Sequence, residues 1–338
     1  MIQPKTTFSL TVVTLISTIL TAMTVGRYPI DLTTFGQLIA SLFDLQKVDS
    51  QLDAAALVIW TVRLPRILMA TLTGAALSVS GVVFQSLFKN PLVSPSILGV
   101  TSGANFGAAL ALLWFSGSAT LLQGSAFAWG LFAVAMACQL GKRDDTSLTT
   151  LVLAGVIISA LFIAGLSYIK CKADPLGQLP AIVFWTMGSF TSVSWIDALW
   201  GIGLILPGLL LTHFLRWGLN PMALGEEEAL SLGIEVSLWR TVHIIIATLM
   251  VAAATASCGS IGWVGLLIPH MARMIVGPDH DVLIPFAALL GSLFMLCMDT
   301  LARILPGGEI PVGILTAIVG APCFGYLLLH NRRNPWET

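Results

Sequence analysis

Long apolar stretches separated by short polar connections run the length of the chain. A helix that crosses the hydrocarbon must supply about 20 mostly apolar residues, because its backbone N–H and C=O groups find partners only within the segment. Ten stretches qualify, at 8–25, 66–88, 95–114, 119–140, 148–169, 195–215, 239–257, 261–276, 283–301 and 311–329. They predict an all-α polytopic membrane protein of about ten transmembrane helices, organised as one transmembrane domain over 1–338. The eighth stretch is short and holds Pro269, and 179–190 reads as a half-length helix that lies at one surface or re-enters. The first stretch competes with a signal peptide, since Lys5 precedes it. It is too long for a signal core and lacks a small-x-small cleavage site, so an uncleaved helix is expected.

An even number of spans puts both termini on one side. The ending His330, Asn331, Arg332, Arg333 favours the cytoplasm for that side. Lys5, Lys89, Lys142, Arg143, Arg216, Arg240, Arg273, Arg332 and Arg333 then face inward. Arg27, Lys47, Arg63, Arg66, Lys170, Lys172 and Arg303 face outward, a bias too small to fix orientation by itself. Small residues recur four apart in Gly74 and Ser78 and in Gly99, Gly103 and Gly107, the spacing that lets helix backbones approach in lipid.

Composition agrees with a lipid solvent: 56% of the 338 residues are hydrophobic and 10% charged, against about 25% charged in soluble domains. With 16 basic and 17 acidic residues the net charge is -1, so the electrostatic footprint of a nucleic-acid binder is missing. Cys138, Cys171, Cys258, Cys297 and Cys323 are scattered without a CxxC pair and read as small apolar packing residues.

Catalytic spacing is absent. The chain holds no GxxxxGK[ST], HExxH or GxSxG motif. His213, His243, His270, His280 and His330 share no metal-ligand spacing and read as surface or loop histidines. No enzyme activity, cofactor or metal site is expected. Mid-membrane charges are few: Asp197 stands near a span start, and Asp299 precedes Arg303 by one helical turn, the spacing of an ion pair.

Four polar segments interrupt the apolar background. The first runs from Arg63, Leu64, Pro65 and Arg66 through Gly74 and Gly81 to Gln85, Ser86, Leu87, Phe88, Lys89, Asn90, Pro91 and Leu92. The second is the loop 220–236, with Leu224, Gly225, Glu226, Glu227, Glu228 and Ala229 followed by Leu232, Gly233 and Ile234. The third holds Gly262, Trp263, Gly265, Pro269, His270 and Arg273. The fourth holds Asp299, Arg303, Glu309, Pro311, Gly313, Gly320 and Pro322. In order and spacing these segments resemble the FecCD family of ABC-importer permeases, the type II importers of vitamin B12, ferric siderophores, haem and molybdate.

The resemblance implies an inner-membrane permease subunit of a binding-protein-dependent importer. It implies a homodimer served by two ABC ATPase subunits and a periplasmic substrate-binding protein, with cargo moved by ATP-driven alternating access. It implies further that Leu224, Gly225, Glu226, Glu227, Ala229, Leu232 and Gly233, which match GExxAxxLG, form the helix that couples to the ATPase. On physical grounds the three glutamates suit the start of a short helix, while Ala229, Leu230 and Leu232 give it an apolar face; a solvated linker is the alternative. Arg63, Arg66 and Arg303 either anchor their helices at the interface or, as the resemblance implies, dock the binding protein. Asn90 and Leu92, with Leu148 and Thr149, are similar to the cytoplasmic gate of the translocation path, although Asn90 could simply cap the next helix. For cargo, a ferric siderophore is favoured, with molybdate or tungstate, haem and cobalamin left open; Lys170 and Lys172 give the outer loop a cationic character. A secondary transporter, whose uptake would follow the proton gradient, is the remote alternative.

Overall fold

A computed structural model describes residues 4–41, 50–115, 118–141 and 148–330. In chain order, the first helices are α1 (Pro4–Thr24), α2 (Leu32–Ser41), α3 (Ser50–Leu57), α4 (Leu64–Leu87) and α5 (Val100–Trp114). There follow α6 (Ala119–Gly141), α7 (Leu148–Lys172), α8 (Gln178–Thr186), α9 (Trp195–Leu215), α10 (Leu219–Leu224) and α11 (Glu226–Ser231). The last are α12 (Val236–Cys258), α13 (Val264–Val276), α14 (His280–Ile304) and α15 (Val312–His330). Among the described residues there is no strand. Each of the ten apolar stretches is a helix. Among the described residues, seven helical segments have the length and hydropathy to cross a membrane, while α5, α13 and α15 are shorter apolar helices.

The helices that sequence pattern missed are short and only partly apolar: α2 and α3 fall between the first and second spans. α3 continues through a π-helical turn, Val58–Arg63, into α4. That turn ends where Pro65 withholds an N–H from the helical ladder. The expected half-length helix is α8. It stops before Gly188, whose carbonyl accepts from Gly313 N–H at 3.2 Å, and Ser189 N–H donates to Cys258 O at 2.8 Å. The exit of α8, the end of α12 and the start of α15 are thus stitched together. α5 begins later than expected because Pro95–Leu98 forms a separate 3-10 turn, closed by Gly99 at φ 88°.

α4 is the centre of the bundle, buried almost throughout from Pro65 to Leu87. Lipid competes equally well for apolar side chains, so close backbone approach and interhelical hydrogen bonds must hold such helices together. A Cβ placed on Gly74 would lie 2.2 Å from Gly291 O, and one on Gly291 would lie 2.3 Å from Gly74 O. The backbones of α4 and α14 therefore touch, and Ser292 Oγ donates to Thr71 O at 2.9 Å across the same crossing. By contrast α1, α6 and α7 present exposed Leu10, Ile16, Phe132, Ile157 and Leu161, an outer surface suited to acyl chains.

The bundle has two distinct ends. At one, Arg303 Nη1 donates to Ala22 O at 3.1 Å and Arg63 donates to Met23 O and Tyr28 O, which brings together the end of α1, the start of α4 and the end of α14. At the other end α10 covers the close of α4 and the start of α14, and α11 lies beside the start of α12. α1 starts and α15 finishes on this second side. Of the charges expected to set orientation, Lys47, Lys142, Arg143, Arg332 and Arg333 lie outside the described residues.

Candidate functional site

At the α10–α11 end, two short helices are separated by Gly225. α11 opens with Glu226, Glu227 and Glu228, all exposed, where its unsatisfied N–H groups favour negative charge. It closes in a Schellman motif: Ile234 N–H donates to Ala229 O at 3.0 Å and Gly233 N–H to Leu230 O at 2.9 Å. Gly233 sits at φ 77°, a conformation open to glycine at little cost. Ala229 and Ile234 are buried beneath the helix, whereas Leu224, Leu230 and Leu232 point outward, exposed at 72%, 60% and 65%. Such an apolar cluster beside three carboxylates, on the polar end of a membrane protein, has the character of a protein-binding surface.

Polar contacts tie this unit to the spans. Lys89, just past α4, donates from Nζ to Leu224 O at 3.1 Å. Glu226 accepts from the Arg240 guanidinium on α12. Asn220 on α10 donates from Nδ2 to Asp279 Oδ1 at 2.9 Å, and its Oδ1 accepts from His280 N–H at 2.9 Å and lies 2.6 Å from His280 Nδ1. His280 Nε2 lies 2.6 Å from Ser86 Oγ on α4, which in turn accepts from Arg273 Nη2 on α13 at 3.2 Å. The Asp279 carboxyl is held below the usual aspartate range, first by Asp281 N–H and then by Asn220.

At the opposite end an ion cluster forms around Asp299, which is fully buried. Arg66 Nε reaches Asp299 Oδ1 at 2.9 Å and Arg303 Nε lies 3.3 Å from Asp299 Oδ2. Arg66 also donates from Nη1 to Glu309 Oε2 at 2.9 Å, and Thr191 Oγ1 donates to the same oxygen at 2.7 Å. Burial would raise the Glu309 carboxyl, but the Thr191 hydroxyl and Arg66 outweigh it and hold it below the usual glutamate range. Between the ends lies a cavity of about 280 Å³, lined by Leu92, Ser94, Ser96, Thr101, Trp263 and Leu266 among others. Gln85, buried on α4, donates to Pro91 O at 2.9 Å and to the O of Leu266, one of the lining residues, at 3.1 Å. A larger cleft of about 700 Å³ opens between α6, the start of α7 and α12, with Leu148 and Arg240 in its wall.

The model of the FecCD transport family matches residues 13–330, nearly the whole chain. The chain belongs to the FecCD transport family. It is 40% identical over 337 residues to the molybdate import system permease protein MolB of Haemophilus influenzae, covering 98% of this chain and 97% of that protein. To the vitamin B12 import system permease protein BtuC of Salmonella typhi it is 38% identical over 287 residues, 82% of this chain and 85% of that one. A solved ABC transporter assigned to the metal-chelate type, in an inward-facing conformation, superposes with a TM-score of 0.86 at 39% identity, over 96% of this chain and 99% of that one. The fold is accordingly that of a type II ABC permease, and the chain is a permease subunit, not itself catalytic.

Within this FecCD bundle the residues singled out from sequence fall into separate places. Leu224, Gly225, Glu226, Glu227, Ala229, Leu232 and Gly233 come together in α10–α11, but Ala229 is fully buried and faces the bundle. Arg63, Arg66 and Arg303 gather at one end as expected, yet they do not stand as rim charges. Their exposure is 4%, 4% and 5%, because Asp299, Glu309 and backbone carbonyls take up their donors. Asn90 is exposed and caps Leu92 N–H through Oδ1 at 2.9 Å. Leu92 and Leu148 line different cavities of the chain, and Thr149 is exposed. The histidines depart most from expectation: His243, His270 and His280 are buried, each at a helix crossing. Ser86, Asn220, His280, Lys89 and Glu309 were missed as contact-forming residues. A buried role for His280 had a signal, since Asp279 beside it is a helix N-cap; its partners on α4 and α10 had none.

Proposed function

We propose that this chain is the membrane subunit of a binding-protein-dependent importer in a bacterial inner membrane, working as a homodimer with both termini cytoplasmic. The observation that carries this reading is the α10–α11 unit. Its exposed Leu224, Leu230 and Leu232 offer an ATPase subunit something to grip, while Ala229, Lys89 and Arg240 fasten the same unit to the spans. Closure of two ATPase subunits would displace α10–α11 and rock one bundle against the other, alternating access to a path between the copies. Leu148, in the wall of the cleft that also holds Arg240, its exposed neighbour Thr149, and Asn90 and Leu92 are assigned to the cytoplasmic gate. The opposite face is assigned to the periplasmic binding protein. Arg63, Arg66 and Arg303 support that face from within, and the exposed Arg27 and the half-buried Glu309 supply its charge.

For cargo we place molybdate or tungstate ahead of the ferric siderophore favoured by the sequence, with haem and cobalamin after them. The support is the near end-to-end similarity to a molybdate permease and the cationic Lys170 and Lys172 in the last turn of α7. Uptake of molybdenum, iron and cobalt, measured side by side in cells with and without this gene, tests the assignment. Molybdenum accumulation should fall with iron unchanged. Loss of iron alone would return the siderophore to first place.

A further inference from the structure

At the α10–α11 end the polar contacts form one directed chain. His280 backbone N–H is an unambiguous donor, so the Asn220 atom it meets at 2.9 Å is the carbonyl Oδ1. That oxygen also faces His280 Nδ1 at 2.6 Å, which makes Nδ1 the protonated nitrogen and leaves Nε2 an acceptor. Nε2 therefore receives the Ser86 hydroxyl at 2.6 Å. Arg273 donates to Ser86 Oγ, and Asn220 Nδ2 donates to the Asp279 carboxylate. Every donor points the same way, from the Arg273 cation to the Asp279 anion, and a chain with this order polarises each of its bonds. Ser86, His280 and Arg273 are buried at 1%, 2% and 5% exposure, so water cannot readily replace a lost partner.

We propose that Arg273, Ser86, His280 and Asn220 are positioning residues that clamp α10 to the ends of α4, α13 and α14, so that displacement of the α10–α11 surface moves these helices as one body. The inference rests on the importer reading and deepens it. Contacts through Lys89 and Arg240 reach α10–α11 from its rim; this polar chain enters the bundle and joins α10 to three helices, α4, α13 and α14, at once. α4 lies at the centre, and its Gln85, next to Ser86, donates to the O of Leu266 on α13, a residue that lines the 280 Å³ cavity. A push on α10 is thereby delivered to the helices around that cavity.

Two measurements on the full-length permease test this. The first is amide hydrogen exchange in detergent, which does not depend on what is transported. Ser86→Ala should speed exchange across 219–231, by about tenfold or more if one buried hydrogen bond is lost, and Ser86→Thr should restore protection. The second is cargo moved per ATP hydrolysed by the permease and ATPase complex in proteoliposomes. Ser86→Ala and Asn220→Ala should each lower that ratio about fivefold or more while hydrolysis continues, and the double variant should be no worse than either single one. Unchanged exchange in both Ser86→Ala and Asn220→Ala would overturn the clamp. Altered exchange with an unchanged ratio would overturn its role in coupling. A wild-type complex that moves no cargo with ATP would instead refute the importer reading, leaving the exchange result to decide the clamp. Should Ser86→Ala fail to fold, Asn220→Ala at the far end of the chain carries both readouts.

Discussion

Asp299 shows most plainly what a single side chain does here. It is fully buried, with Arg66 and Arg303 as its two cationic neighbours. Removing one member of a buried ion group strands the others at a cost of about 3–5 kcal/mol. Asp299→Ala should therefore lower the detergent-solubilised melting temperature sharply, and a melting curve that does not move would contradict the cluster. Glu309 makes a pH-dependent case. Its folded carboxyl lies below the ordinary value of 4.5, so its contribution is complete above that value and is lost as pH falls through the lowered one. Wild type should lose more stability than Glu309→Gln on acidification, and parallel losses would sink the assignment. The Asp299 and Arg303 contact was legible from one-turn spacing. The Arg66 contact, made across 233 residues, was not, because span order along a chain does not say which helices are neighbours.

Among the elements, the long helices were legible because lipid demands an apolar length that leaves a plain mark on sequence. α2 and α3 left no such mark, and the 3-10 turn before α5 was hidden inside an apolar run. α11 was readable from its three glutamates and Gly233, but the direction of its faces was not. Apolar Leu224, Leu230 and Leu232 look outward, and small Ala229 looks inward. Ala229 thus seats α11 on the bundle. Replacing Ala229 with Arg should lift α11 from the bundle and uncouple ATP hydrolysis from uptake, while the spans still assemble. Unchanged ATP-dependent uptake in that variant would remove α11 from the coupling path.

For the whole molecule, the arrangement is a central α4 gripped at both ends: by an ion cluster around Asp299 at one face and by the polar chain through Ser86 at the other. Gly74 and Gly291 keep α4 against α14 between them. Such a rod, tied at both faces, can carry a displacement across the bilayer, which is what an ATP-driven FecCD permease needs. The most direct test reconstitutes the permease with its ATPase subunits in proteoliposomes, supplies binding protein and molybdate outside, and varies the ATP enclosed. Accumulation should require both ATP and binding protein and ignore an imposed proton gradient. Uptake that follows the proton gradient and proceeds without ATP would contradict the account.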